Sequence, residues 1–431
     1  MPRLPDLRFA PDCTIELDGS PVPARRGESV AVALLAAGHA VLGRSAKYHR
    51  PRGAFCLSGS CHACCARIDG VPNQRSCRVP CRPGLVVSTQ NGFPSARCDL
   101  LGVLDRVYAR GLDHHHLMTS SALLNRLAIA TSRRFTGQGR LPDRLLSPAA
   151  SAREERWDAL VVGGGPAGLG AAEALAGTGV PVLLAESDSL LGGRLRCGLG
   201  RAADPALSWA AEVARKVTEQ GGQVLLNATA LGIWQDGGSR VVVLRVEEGT
   251  PPLRLVYATR VVLATGTHPT PPPLPRNDLP GLLAARGLAR ALSENGLVPG
   301  SFAVVLGENE EASALAERLW KAGMQVRPTS TASDLRGGRR IRSVRLSHGE
   351  RVACDTLVVA GTRAPASDLA RQAGAALVFD EEAKLWRVKA SPFGETGRAG
   401  LWVAGEMMFP LSADEAAETG RRAGKAAHGH S

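Results

Sequence analysis

Four cysteines, Cys56, Cys61, Cys64 and Cys77, stand in the spacing C-x4-C-x2-C-x12-C, and this spacing restricts the possible folds more than any other feature of the chain. Seven of the ten cysteines lie between Cys56 and Cys98. A short loop that curls round one side of a centre, with a fourth thiolate from a distant strand, is what a plant-type [2Fe–2S] cluster requires. The loop residues suit that role. Gly59 permits a positive φ, and Ser58, Ser60 and Ala63 are small enough for backbone N–H groups to approach the sulfides. A zinc site and a set of buried thiols are the other readings. Zinc usually takes two short C-x2-4-C pairs, so the asymmetric spacing favours the cluster. Cys65, Cys81 and Cys98 fall outside the pattern, and Cys13, Cys197 and Cys354 are isolated. All six are expected to be buried and inert.

The surrounding sequence reads as a small β-rich, β-grasp-like domain over residues 1–100. Thr14 to Leu17 and Val22 to Ala24 flank the Asp18-Gly19 turn, a hairpin signal, and Ser29 to Ala37 is apolar at helical spacing. Residues 101–155 read as a helical linker, with pieces such as Leu123 to Ala130, the run His114-His115-His116, and an Arg/Pro/Ser-rich stretch. From Trp157 onward strands and helices alternate as in a parallel α/β sheet. A length of 431 residues leaves room for two or three domains.

No apolar run is long enough to cross a bilayer, and the opening MPRLPDLRFAPD has no secretory apolar core. Cytoplasmic residence is therefore expected, where thiols stay reduced and serve as ligands rather than disulfides. The net charge of +12 is scattered, without basic–aromatic interleaving. It suits cofactor and partner electrostatics rather than nucleic-acid binding.

Ala159 to Val162 is a short apolar strand followed by Gly163-Gly164-Gly165-Pro166-Ala167-Gly168 and a helix-forming stretch. A second strand, Val180 to Ala185, ends at Glu186, close to the roughly 20-residue spacing of a dinucleotide fingerprint. Gly163 is expected to make the turn, Gly165 to admit the pyrophosphate, and Gly168 to let the helix pack on the strand. Glu186 is expected to accept from the ribose hydroxyls. Alone, G-x-G-x-x-G is weak evidence, but three further segments point to FAD rather than NAD. Leu191-Gly192-Gly193-Arg194 follows the acid, Ala264-Thr265-Gly266 closes a strand, and Gly405-Glu406 ends LWVAGE before a final helix. In flavoproteins with this order the last acid bonds the ribityl chain. With few aromatic residues (4%) and 49 glycines, the composition agrees with such close-packed turns.

A further βαβ pattern at 303–326 carries Gly307-Glu308-Asn309-Glu310-Glu311-Ala312 where a second dinucleotide motif would stand. Three carboxylates there would repel a pyrophosphate, so a degenerate, structural Rossmann unit is expected. A working nicotinamide site is the alternative.

The order of motifs resembles the large (alpha) flavoprotein subunits of heteromeric amine-oxidising complexes: sarcosine oxidase alpha, the opine oxidases, hydrogen cyanide synthase and the dye-linked proline dehydrogenases. The resemblance is carried by GRSAKYHRPRG (43–53), the four-cysteine loop, GVPNQRSC (70–77), GGGPAG, LGGR, ATG, NDLPG (277–281) and VAGE. Leu57, and Thr267-His268-Pro269 after ATG, depart from the usual pattern. The resemblance implies a glutathione-reductase-like domain of two dinucleotide folds, split as 156–280 and 366–431 for FAD with the degenerate unit at 281–365. It further implies FAD and a [2Fe–2S] cluster, and a separate FAD-containing beta subunit of the D-amino-acid-oxidase type that removes hydride next to the amine. The electrons would then pass to a quinone, a ferredoxin or oxygen. Any attachment to a membrane would be peripheral and through the complex. No catalytic residue of amine oxidation is apparent in this chain. Arg50, Pro51 and Arg52, with Lys47 nearby, are expected to help dock the cluster domain onto the flavin domain or the beta subunit. A self-sufficient NAD(P)H-dependent reductase, and a scaffold with a vestigial flavin, are the rival readings.

Overall fold

The computed structural model describes residues 3–45, 48–103, 105, 121–135, 142, 151–199, 203–247, 249, 251–361 and 363–429. Strands β1 (Cys13–Leu17) and β2 (Ser20–Ala24) form an antiparallel hairpin whose turn residues, Asp18 and Gly19, both have positive φ (48° and 81°). Two-residue turns of this kind match the twist of the flanking strands. Ile15, Leu17, Val22 and Ala24 face inward by the two-residue alternation of a pleat. Helix α1 (Val30–Ala36) is capped by the Ser29 hydroxyl, which accepts from the Val32 N–H. With β3 (Cys65–Ile68), β4 (Val71–Arg75) and β5 (Val86–Ser88), the strands form one sheet in the order β2-β1-β5-β3-β4. Only β1 and β5 run parallel, and α1 packs on β2: a β-grasp arrangement.

Helix α2 covers Ala122–Phe135, and the His114-His115-His116 run lies outside the described residues. The next elements are β6 (Arg153–Val162), α3 (Pro166–Ala176), β7 (Val182–Ala185), α4 (Ala203–Glu219) and β8 (Gln223–Leu225). An antiparallel trio follows: β9 (Ala228–Asp236), β10 (Ser239–Val246) and β11 (Leu253–Leu263). A second nucleotide-type unit comprises β12 (Leu282–Ala284), α5 (Ala285–Asn295), β13 (Phe302–Leu306), α6 (Glu310–Lys321), β14 (Gln325–Thr329) and β15 (Thr356–Val359). Its four strands are all parallel, in the order β12-β15-β13-β14. Strand β16 (Leu401–Val403) and helix α7 (Ala413–Gly429) end the chain.

Two compact units result. One joins residues 1–146 with 271–362, and the other joins 147–270 with 363–431. In the second, the sheet order is β8-β7-β6-β11-β10-β9, with β16 parallel to the far end of β11. The last four residues of β6 are buried on both faces, Ala159 and Val161 toward α3 and α7, Leu160 and Val162 toward the opposite core. That explains its unbroken apolar run. Helices α3 and α7 approach at Gly170 and Gly420. A Cβ on Gly420 would overlap the Ala167 carbonyl oxygen and lie 2.7 Å from its carbon.

In the first unit the β-grasp domain rests on the nucleotide-type subdomain. Arg52 pairs with Asp278 of the NDLPG stretch at 3.0 Å, and Arg50 with Asp105 at 2.6 Å. The buried His49 bonds Asp99 at 2.8 Å. Arg52 thereby ties the β-grasp domain to the 271–362 stretch of its own compact unit. Lys47 lies outside the described residues.

The α3–α7 contact predicts that Gly420→Val forces the helices apart. Overpacking of this kind costs about 1–3 kcal/mol, and a thermal melt followed by circular dichroism should show a lower midpoint than wild type.

Candidate functional site

The cysteine loop gathers its thiols by backbone geometry. Leu57 and Gly59 both adopt positive φ (52° and 82°), which turns the chain between Cys56 and Cys61. The Cys56 and Cys61 sulfurs lie 3.3 Å apart, and the Ser58 N–H donates to the Cys56 sulfur at 3.4 Å. Ser76, fully buried, donates its hydroxyl to the Cys64 carbonyl at 2.7 Å and so ties the Cys77 arm to the loop. Arg75 donates to the Gly59 carbonyl. Cys56, Cys64 and Cys77 are buried, and Cys61 is half-buried.

The thiols act on one another. Hydrogen bonds from Cys61 and Cys77 hold the Cys56 thiol far below its ordinary range. Cys77 draws Cys64 down to about 7, whereas Cys61 and Cys77, as the donors, are pushed up. Such a shared-proton set gives up its protons to a metal centre. Among the described residues no three of His, Cys, Asp and Glu are arranged to hold a single metal ion. The four thiols, gathered by the loop and the adjoining Cys77 arm, are donors that a two-iron cluster could take.

The second site surrounds the N-terminus of α3. Gly163 turns at φ 107°, where a Cβ would overlap the Ala264 carbonyl, and a Cβ on Gly168 would overlap the Gly163 carbonyl. Gly165 caps α3, with Pro166 in its first turn, and a Cβ there would meet only the Gly193 Cα, at 4.0 Å. This open side of a helix N-terminus could receive a pyrophosphate. Gly192 donates its N–H to the Gly164 carbonyl at 2.8 Å, which pins the Gly192-Gly193-Arg194 turn beside the cradle. Glu186 is buried and accepts from the Gly164 N–H at 2.6 Å and the Asp188 N–H at 2.7 Å. Ala264 N–H donates to Val162, and Thr265 hydroxyl to Ala366, so Ala264-Thr265-Gly266 runs past the same turn. Gly405, at φ 76°, brings the last motif against Ala167, where a Cβ would lie 2.7 Å from the Ala167 Cβ.

Residues 11–92 match the family model of a 2Fe-2S iron-sulfur cluster binding domain, and residues 157–307 match that of the pyridine nucleotide-disulphide oxidoreductases. The sarcosine oxidase alpha subunit of Rhizobium meliloti (strain 1021) is 30% identical over 435 residues, covering 90% of this chain and 43% of that protein. An opine oxidase subunit of Agrobacterium tumefaciens (strain Ach5) is 25% identical over 63% of this chain and 65% of its own length. The fold is that of the crystal structure of L-proline dehydrogenase from P. horikoshii, with TM-score 0.76, 21% identity, and coverage of 98% of this chain and 74% of that one. Over most of its length the chain is similar to the sarcosine oxidase alpha subunits, and over part of it to their opine oxidase counterparts. It spans less than half the length of the sarcosine oxidase subunits that it matches.

These matches indicate a [2Fe–2S] cluster and FAD as the cofactors of the chain. Its buried Glu406 is ion-paired with Arg194 at 2.8 Å and Arg363 at 3.6 Å, and Thr267 donates to it at 3.4 Å. A buried carboxylate needs such partners. The Gly405 N–H donates to the buried Thr419 hydroxyl at 3.0 Å. Arg363, Thr267 and Thr419 escaped the sequence reading. Thr267 sits directly after ATG, where the departure from the family pattern was the only signal, and Arg363 carried none. Of the six cysteines outside the spacing, Cys81, Cys197 and Cys354 are buried, and burial pushes Cys81 up to about 12 and Cys354 up to about 11. Cys13 and Cys65 are half-buried and Cys98 is exposed, so the expectation of burial fails for these three. Cys13 shares the inward face of Ile15 and Leu17 but stands at the open start of β1, Cys65 lies on the face of β3 opposite the buried Ala66 and Ile68, and Cys98 lies on a surface turn closed by its hydrogen bonds with Ser95. Among the described residues no helix is long and apolar enough to cross a membrane.

Two substitutions test the sites separately. Cys61→Ser should abolish the visible absorption and the reduced-state EPR signal of the cluster, while Cys98→Ser leaves both. Gly165→Val should yield protein without FAD, whereas Glu186→Ala, which strands the Gly164 N–H, should weaken binding by only about 1–3 kcal/mol. Flavin released on denaturation gives the occupancy.

Proposed function

We propose that this chain is the electron-transfer subunit of a heteromeric amine or amino-acid dehydrogenase or oxidase. A partner FAD-containing subunit of the D-amino-acid-oxidase type takes hydride from the carbon beside the nitrogen. When bound, FAD supplies two-electron chemistry and the cluster one-electron chemistry, and their presence in one chain is the observation that carries the reading. The electrons leave to a quinone, a ferredoxin or oxygen. The relatives support an assembly, since they are themselves subunits of oxidases.

The same proposal assigns Cys56, Cys61, Cys64 and Cys77 as cluster ligands. Gly163 to Gly168, apart from Gly164, together with Gly193, form the pyrophosphate cradle. Glu186 serves the ribose, and Gly192, Arg194, Ala264 to Gly266, Gly405 and Glu406 serve the remainder of FAD. The ion pairs on Glu406 fix its carboxylate, and each oxygen keeps lone pairs for a hydroxyl of the cofactor. Cytoplasmic residence accords with ten free cysteines.

Several contacts argue against nicotinamide use by the second nucleotide-type unit. The Asn309 side chain caps α6 by accepting from the Ala312 N–H at 2.9 Å, which occupies a donor that a phosphate would use. Glu308 and Glu310 are exposed beside it, and Glu311 is held by the Arg286 guanidinium at 2.7 Å. A pyrophosphate arriving there meets carboxylates.

Anaerobic addition of NADH should leave the flavin oxidised. An amine or amino acid should bleach it only in the presence of the co-purifying flavoprotein. Bleaching by NADH at a catalytic rate would instead establish the self-sufficient reductase.

A further inference from the structure

Helix α5 of the nucleotide-type subdomain touches the cluster domain at both of its ends. At the C-terminal end, Arg3 donates to the Asn295 carbonyl at 2.9 Å and Arg25 to the Glu294 carbonyl at 3.2 Å. Cations belong at that end of a helix dipole. At the N-terminal end, the Ala284 N–H donates to the Phe55 carbonyl at 2.9 Å. One turn on, Gly287 meets the first cysteine of the loop. A Cβ built on Gly287 would overlap the Cys56 carbonyl oxygen, lie 2.9 Å from its carbon and 3.1 Å from the Leu57 Cβ.

The contact continues into the core. Phe55 and Cys56 are members of one buried cluster with Leu279, Leu282, Val304 and Leu357, and Cys61 and Ala63 pack against it. The loop that gathers the thiols is therefore closed on one side by another subdomain's helix and core. Leu57, held at φ 52°, occupies a conformation that a branched side chain adopts only when its surroundings impose it. Gly287 thus abuts both Cys56 and Leu57.

We propose that Gly287 is a positioning residue of the iron–sulfur site, and that α5 forms a wall which seats the Cys56–Leu57 turn and keeps water from that side of the cluster. The nucleotide-type subdomain thereby sets how firmly, and at what potential, the cluster is held. Reduction adds negative charge to the centre, and exposure to water is one of the factors that fix its potential. The inference rests on Cys56 being a cluster ligand.

In Gly287→Ala the added methyl group must push the helix and the loop apart. Iron release to a chelator should quicken at least tenfold, and the midpoint potential from an EPR-monitored titration should rise as water reaches the loop. FAD content, which depends on the other compact unit, should stay at wild type. A second variant, Arg52→Ala with Asp278→Ala, loosens the same interface without touching the loop and should shift both readouts in the same direction by less. Unchanged iron release and potential in folded Gly287→Ala overturn the proposal. If that variant does not fold, unchanged values in the Arg52/Asp278 variant overturn it. Cys56→Ser separates the underlying assignment, because retention of a normal cluster in that protein would remove Cys56 as a ligand whatever Gly287 does.

Discussion

The N-terminus of α3 can face a dinucleotide only because three stretches of backbone approach it more closely than side chains would allow. Gly168 brings the helix onto the Gly163 carbonyl, Gly163 brings the turn onto Ala264, and Gly420 brings α7 onto Ala167. None of these contacts tolerates a Cβ. They fix the distance between β6, β11 and α7, and with it the position of every group around the cradle. The flavin-binding unit is made from two stretches of chain, 147–270 and 363–431, and they are joined at these approaches and at the parallel pairing of Val261 to Leu263 with Leu401 to Val403.

Two buried carboxylates then meet different needs in that frame. Glu186 is satisfied by the Gly164 and Asp188 N–H groups and the Ser187 hydroxyl, all within one βαβ unit. Glu406 is satisfied by guanidinium groups from residues 194 and 363, each far away in sequence. An unpaired carboxylate in either place would carry a heavy desolvation cost. Pairing makes each one a fixed acceptor, held in place before any cofactor hydroxyl arrives.

This difference also explains what could be read from the sequence. The cysteine spacing and the G-x-G-x-x-G turn were legible because their geometry is local: Leu57 and Gly59 turn the loop, and Gly163 turns the strand into α3. The β1–β2 hairpin was legible for the same reason. Arg363 was not, since its partner lies 43 residues further along and nothing in the sequence around 363 marks it. Nor was the contact between Gly287 and Cys56, which joins residues 231 positions apart and leaves no motif at the Gly287 end. The KYHRPRG stretch was read as a docking loop from its family resemblance and its arginines. Which surface it meets depended on Asp278, an acid in a turn that offers no chemical signal of its own.

The decayed nucleotide motif and the cluster loop are connected through the same pair of helices. Arg286 lies in the first turn of α5, where the helix dipole disfavours a cation. Glu311, in the first turn of α6, grips its guanidinium with both carboxylate oxygens, at 2.7 to 3.3 Å. The pair offsets that unfavourable placement and braces the start of α5 against α6, one residue before Gly287. Thus a carboxylate that stands where a pyrophosphate would approach also steadies the helix behind Cys56. Restoring a phosphate-binding turn at 307–312 by removing Glu311 would leave Arg286 without this counter-charge and loosen the wall of the iron–sulfur site. The two roles of the subdomain are in physical competition, and its side chains are arranged for the second.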